Sequence, residues 1–318
     1  MNSTGRCLCC GMPLPDQDQL YHAKCLKRLF GSQRIPALNY TQDELNALAK
    51  KTVLSRISVP GVQPKLSLHL ERGTPRTHSR LTLVGLEGNY ILKPQTPQRR
   101  HLPEAEHFCM LLARSCHITT AEFGLIPLKS GELSYITRRM DRDGDRKLHM
   151  EDFCQILNKV TAQKYNGSME QIGRALREYS DVAGLDEIRL FELTVFCFLT
   201  GNSDMHLKNF SLIETEAESG SYVLSPAYDL VPVNIILPED TEELALTLNG
   251  KKRRLKRTDF EKFAASLKLT SVQYSKAMDR IISSVKKNLS PILTASFLPE
   301  DMRIAIKTLV SKRISRIR

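Results

Sequence analysis

Gly201-Asn202-Ser203-Asp204-Met205-His206-Leu207-Lys208-Asn209-Phe210 is the stretch on which the reading of this chain turns. Before it, Leu190 to Leu199 is rich in Leu, Phe, Val and Cys, the composition of a buried helix, and Thr200-Gly201-Asn202-Ser203 breaks that helix into a loop. The Asp204 carboxylate can accept a hydrogen bond from an attacking hydroxyl. The Asn209 amide oxygen can ligate a hard cation held on nucleotide phosphates. Such a cation needs a second acid, and Asp229 in Ser225-Pro226-Ala227-Tyr228-Asp229-Leu230 is the candidate. Phe210 to Glu214 and Ser221 to Leu224 are expected to pair as a hairpin around Glu218-Ser219-Gly220, which returns Asp229 beside Asn209. Capping a turn is the plainer use of either Asp204 or Asn209, so the rest of the chain has to supply the partners.

An Asp and an Asn five residues apart is the spacing by which phosphotransferases of the protein-kinase type arrange a catalytic loop. Those enzymes also need a strand lysine on the phosphates and a helical glutamate to orient it. Lys93 ends Gly88-Asn89-Tyr90-Ile91-Leu92-Lys93-Pro94, expected as the second strand of a hairpin whose first is Arg80 to Val84. Glu106 lies on the helix expected from Pro103 to Ala113, whose Phe108, Leu111 and Leu112 share one face. The plainer readings are a surface lysine and an acid favoured by the helix dipole. Upstream, Arg56-Ile57-Ser58-Val59-Pro60-Gly61-Val62-Gln63-Pro64-Lys65 leads into the alternating Leu66, Leu68 and Leu70 of a strand. This loop could lie over phosphates with Lys65 as a point charge, or be a simple connection; with a single glycine it is not a Walker A loop.

Composition sets the bounds. Of 318 residues, 41% are hydrophobic and 25% charged, which is globular, and the length suffices for two lobes. No apolar run approaches the ~20 residues of a membrane span. The polar start Met1 to Arg6 is no secretory signal, so a cytoplasmic location is expected. The net charge of +11 comes largely from Lys251 to Arg257 and from the end of the chain. Without interleaved aromatic residues these runs read as solvated faces before they read as a nucleic-acid groove.

Cysteine usage divides in two. Cys109, Cys116, Cys154 and Cys197 stand singly in apolar contexts and read as core thiols. Cys7-Leu8-Cys9-Cys10-Gly11 and Tyr21-His22-Ala23-Lys24-Cys25 instead carry two short-spaced ligand pairs, the pattern of a tetrahedral zinc site. Cys7, Cys10, His22 and Cys25 are the expected ligands, with Cys9 as the alternative. A four-ligand site leaves no open position, so any zinc is structural.

Further strands are expected at Ala121 to Leu128 and Leu133 to Arg138. Helices are expected at Thr41 to Leu54, Glu151 to Lys159, Ser168 to Tyr179, Asp186 to Thr200, Asp259 to Leu267, Ser271 to Leu289 and Pro299 to Arg318. Strands first and helices later give an α+β, two-lobed, protein-kinase-like class. The boundaries are a zinc-type module at 1–35, a β-rich N-lobe at 36–140 and a helical C-lobe at 141–318.

Five segments together carry a resemblance: Ile57 to Lys65, Tyr90 to Pro94, Glu151-Asp152-Phe153-Cys154-Gln155, Gly201 to Phe210 and Ser225 to Leu230. In this order they closely resemble the HipA-like serine/threonine kinases, from about Ser55 onward. The chain looks most similar to the short HipT-like branch, which lacks an N-terminal β-subdomain and works beside a small HipS-like antitoxin and a HipB-like DNA-binding protein. The resemblance implies that Lys93 binds ATP phosphates with Lys65, Glu106 and His206 around the nucleotide, that Asp204 is the catalytic base, and that Asn209 and Asp229 hold Mg²⁺. It also implies autophosphorylation of Ser58. HipT-like sequences often carry a second serine two positions on, where this chain has Pro60, and Ser55 is off the matching position. An aminoacyl-tRNA synthetase is the implied substrate class, and contact with nucleic acid would come through the HipB-like partner. Two other readings stand beside this one: a small-molecule kinase of similar fold, and an inactive zinc-bearing module that binds protein or nucleic acid.

Overall fold

The computed structural model describes residues 5–16, 18–54, 64–73, 79–84, 88–144 and 146–318, with only the helical backbone of 49–54. The chain divides into two compact units. The first comprises Met1–Phe108, Ala121–Met140 and Thr294–Leu298; the second comprises Cys109–Thr120, Asp141–Leu293 and Pro299–Arg318.

The first unit holds helices α1 (Ala23–Phe30) and α2 (Gln42–Leu54) and strands β1 (Leu66–Glu71), β2 (Arg80–Leu83), β3 (Tyr90–Lys93), β4 (Phe123–Pro127) and β5 (Leu133–Arg138). It also holds the part of α3 (Leu102–Ser115) up to Phe108. The five strands form one antiparallel sheet in the order β2-β1-β3-β5-β4. The expected hairpin of Arg80–Val84 with Gly88–Pro94 is therefore not formed. Strand β1 lies between them, pairing Leu68 with Leu83 on one side and with Tyr90 on the other. Since β1 is antiparallel to both, β2 and β3 run in the same direction, which a tight turn cannot produce. Burial explains the order: Leu66 and Leu68 are both buried and belong inside the sheet, whereas β2 buries only Leu81 and goes to the edge.

The other edge, β4, is closed by the N-terminal segment. Leu125 donates its N–H to the Leu8 carbonyl at 2.8 Å, and the Leu125 carbonyl accepts from the Tyr21 hydroxyl at 2.6 Å. Without such cover these groups would be a template for pairing with other chains. The approach depends on Gly124, where a Cβ would come within 2.9 Å of the buried Leu29 side chain.

The second unit contains β6 (Arg142–Asp143), β7 (Arg146–Lys147), β8 (Met150–Asp152), β9 (Ser211–Glu214) and β10 (Tyr222–Leu224). Its helices are α4 (Phe153–Ile156), α5 (Met169–Tyr179), α6 (Ala183–Thr200), α7 (Val233–Ile236), α8 (Arg257–Ser266), α9 (Ser271–Ala295) and α10 (Glu300–Ile317). Helix α6 is apolar all round over its second half and sits at the core of this unit, with Leu190, Phe191, Val195, Phe196, Phe198 and Leu199 fully buried. The hairpin expected around Gly220 is formed, with Leu212 opposite Leu224. The helix expected over Glu151–Lys159 is much shorter. Met150–Asp152 pairs with β9 instead, Asp152 caps α4 by accepting from Gln155, and Asn158 at φ 53° stops continuation.

Helix α10 is tied to the end of α6 by Arg313. This buried guanidinium donates to the Phe198 carbonyl and, at 2.7 Å, to Asn234 Oδ1, and lies 5.1 Å from the centre of the Phe198 ring. Burial pulls its pKa down to about 10. Arg313→Ala removes the donor from Asn234 Oδ1 and leaves the Phe198 carbonyl with only the longer 3.4 Å bond from Gly201 N–H, and is expected to cost about 3 kcal/mol, read as a shift in the urea midpoint.

Candidate active site

In the first unit the key pair is Lys93 and Glu106. Lys93 is the last residue of β3, opposite Tyr135 of β5, and it is 3% exposed. Its Nζ donates to Glu106 Oε1 at 2.6 Å, and Glu106 is 0% exposed. The ammonium also lies 5.4 Å from the Tyr135 ring centre. Two opposite charges removed from water together are tolerable; either alone is costly. A lysine fixed at a strand end by a helical carboxylate is a preset cationic point for an anionic ligand.

In the second unit, α6 ends at Gly201, whose φ of 80° only a residue without a Cβ adopts easily. The loop that follows is buried from Asn202 to Phe210 except for Asp204, which is exposed, and the half-buried Lys208. Every other side chain there holds the loop while Asp204 is presented. The backbone folds around it: His206 N–H donates to the Asp204 carbonyl at 2.8 Å, and Asn209 Nδ2 donates to the same carbonyl at 3.0 Å. With its amide hydrogens used inside the loop, Asn209 keeps Oδ1 as the atom with lone pairs for a cation. Lys208 Nζ pairs with Asp152 at 2.6 Å, which anchors the loop to β8 and α4.

Tyr165 was not singled out from sequence, since nothing in Lys164-Tyr165-Asn166 marks it. Its hydroxyl donates to Asp204 Oδ1 at 2.5 Å, and its ring meets that of His206 edge-on at 5.1 Å. Burial, together with the bond to Asp204, pushes the phenol above its ordinary pKa, so it stays a donor. Lys164 and Lys252 lie 4.9 Å and 5.9 Å from the ring centre. His206, which the resemblance places near the nucleotide, is buried with its ring against that of Tyr165.

Asp229 follows from the β9–β10 hairpin. The Tyr228 hydroxyl donates to the Lys208 carbonyl at 2.9 Å and meets Ser211 Oγ at 2.7 Å, so the neighbours of Asp229 and Asn209 are in contact. Asp229 itself holds φ 60°, a left-handed conformation that Asp tolerates better than most residues. An amide oxygen and a carboxylate are hard donors that suit Mg²⁺. Lys65 precedes β1 and is exposed, and Ser58 lies outside the described residues together with most of its loop.

The N-terminal ligand set is brought together. The ligand atoms of Cys7, Cys10, His22 and Cys25 all lie within 4.8 Å of one another. A tetrahedral zinc with Zn–S bonds of ~2.3 Å needs ligand–ligand separations of ~3.8 Å, so a small contraction suffices. His22 Nε2 lies 3.0 Å from the Pro13 carbonyl, which leaves Nδ1, 3.4 Å from Cys10 Sγ, as the coordinating atom. Cys9, the alternative ligand, is turned elsewhere: its Sγ lies 3.2 Å from the Phe123 carbonyl.

Residues 57–289 match the HipA-like C-terminal domain. Two relatives bear the name "Putative kinase": Y4dM of Sinorhizobium fredii, 32% identical over 68% of this chain and 54% of its own length, and a Haemophilus influenzae protein, 26% identical over 95% and 94%. The chain thus spans only about half of the first relative's length. Among solved structures, HipA of Shewanella oneidensis, determined with HipB and operator DNA, superposes with a TM-score of 0.68 at 22% identity, covering 84% of this chain and 70% of that one. The shared mixed α/β fold is what this likeness establishes.

Proposed function

Because the chain belongs to the family of HipA-like C-terminal domains, we propose that it is an ATP- and Mg²⁺-dependent kinase that phosphorylates serine or threonine hydroxyls of a protein. The observation that carries this reading is the loop in which Asp204 alone is exposed while Asn209 is bonded back to its carbonyl at 3.0 Å. In this reading Asp204 accepts the hydrogen bond of the attacking hydroxyl and orients it, a task of position more than of basicity. Tyr165 holds one carboxylate oxygen and leaves the other for the substrate. Asn209 and Asp229 would hold Mg²⁺, which supplies charge neutralisation on the phosphates. Lys93, kept in place by Glu106, grips those phosphates from the strand end, and Lys65 adds a second cation.

Tyr165→Phe keeps the ring but frees Asp204 to turn. The expected result is a fall in kcat of about tenfold with little change in KM for ATP, measured by steady-state kinetics. Equal loss in both would assign Tyr165 to nucleotide binding instead.

The family carries the biological reading further. We take the protein as the toxin of a HipBST-like system, with an aminoacyl-tRNA synthetase as target and HipS-like and HipB-like proteins as partners. The support is the family match and the fold shared with a HipA solved with HipB and operator DNA. Ser58 is the expected autophosphorylation site, since a dianionic phosphate in that loop would find new cationic partners and displace the loop. Radiolabelled ATP added to a cell lysate tests the substrate class: label in one or a few proteins is expected, and label confined to small molecules would sink the protein-kinase reading. Intact-mass and peptide analysis after ATP and Mg²⁺ is expected to place one phosphate on Ser58 in the parent and none in Asp204→Gln.

A further inference from the structure

Cys9 sits between two of the N-terminal ligands without joining them. Its carbonyl lies 3.2 Å from Nε2 of His107, a residue with no exposed surface. His107 follows Glu106 directly on α3, and Glu106 holds Lys93. The turn that Cys7 and Cys10 would close on a metal is therefore the turn that reaches the helix carrying Glu106. From the geometry we infer that Cys7, Cys10, His22 and Cys25 bind one zinc ion, and that this ion sets the position of Glu106 by locking the Cys7–Gly11 turn against His107 and β4.

Three observations within the first unit support the link. First, the contacts made by this turn are buried and directional. Leu8 O accepts from Leu125 N–H at 2.8 Å, Cys9 Sγ lies 3.2 Å from Phe123 O, and the Cys9 carbonyl meets His107. The His107 ring packs on Phe123 at 5.6 Å and on Phe297 at 5.7 Å, so turn, strand and helix form one contact group. Second, few bonds close the turn on itself. Among the described residues, the Cys7–Met12 turn has two internal backbone bonds, Cys7 N–H to Met12 O and Gly11 N–H to Cys7 O, and Leu8 N–H reaches across to Leu20 O. A segment of this size needs a staple to keep a defined shape. Third, the ligand set is complete, with three sulfurs and an imidazole nitrogen, and the second imidazole nitrogen is engaged by Pro13, as zinc-bound histidines require. The ion has no open position and takes no part in the reaction; it acts on Glu106 by position alone.

The consequence for nucleotide rests on the proposed role of Lys93, whereas the link from metal to helix does not. The test uses the full chain purified with zinc. Metal analysis is expected to give one zinc per chain, lost in Cys10→Ser and in Cys25→Ser. Hydrogen exchange read by mass spectrometry is then compared with and without zinc. Amides of Glu104–Phe108 and Phe123–Ile126 are expected to exchange about tenfold faster once zinc is chelated, and to recover when zinc is returned, while Leu190–Leu199 of α6 stays unchanged. His107→Leu is expected to keep the zinc and to loosen Glu104–Phe108 whether zinc is present or not. Failure to bind zinc stoichiometrically would overturn the proposal. So would unchanged exchange at Glu104–Phe108 after chelation, or a rise of equal size in α6, which would make the ion a general staple. If exchange responds as expected but the affinity for ATP does not, the metal–helix link stands and the phosphate-binding role of Lys93 falls.

Discussion

Asp204→Gln is expected to lower phosphate transfer by about 10³-fold while ATP affinity stays within about threefold of the parent. The substitution puts a polar, uncharged side chain one methylene longer at the one exposed position of the loop, where there is room for it, and the bonds that shape the loop run through the Asp204 backbone, not its carboxylate. The loop should therefore persist. What is lost is the charged second acceptor: with the amide oxygen taking the Tyr165 hydroxyl in place of Asp204 Oδ1, the NH2 group offers a donor where the attacking hydroxyl needs a lone pair. Single-turnover transfer and equilibrium binding of ATP separate the two quantities. Equal losses in both would show that Asp204 serves nucleotide binding, and the assignment of a base would have to move elsewhere.

The largest effect on stability is expected at Glu106. Replacing it with Ala leaves the ammonium of Lys93, 4% exposed at the side chain, with no carboxylate at 2.6 Å. Breaking a buried ion pair from one side costs about 3–5 kcal/mol. The double variant Lys93→Met with Glu106→Leu should recover most of the loss in the urea midpoint, since neither charge then remains to be buried. It should recover no transfer activity. That contrast separates the pair's structural from its chemical worth: recovery of activity with stability would mean that Lys93 does not touch the phosphates.

Much of the candidate site was legible because its signals are local in the chain. The spacing of Asp204 and Asn209 within one loop, the two short ligand pairs at the N-terminus, and the hairpin returning to Asp229 each depend on neighbours a few residues apart. Turn chemistry and strand alternation record such relations directly. Helix α6 was readable for the same reason, its apolar run ending at a glycine.

What sequence missed is non-local. Tyr165 reaches Asp204 across 39 positions, and no pattern in its own segment reports a partner so distant. The expected pairing of Arg80–Val84 with Gly88–Pro94 joined the nearest strands, but burial of Leu66 and Leu68 placed β1 between them. The Glu151–Lys159 helix lost its first turn to ladder bonds with β9, a competitor some sixty residues further along the chain. By itself the sequence determined most element types, the loop that carries Asp204 and Asn209 and the four-ligand cluster, because local backbone preference and residue spacing act over a few residues. Only the tertiary structure decided which strand lies between β2 and β3, that Tyr165 meets Asp204, and what closes the edge of β4. Those choices are made by burying apolar area and pairing the backbone groups and charges buried with it, and burial is a property of the whole unit.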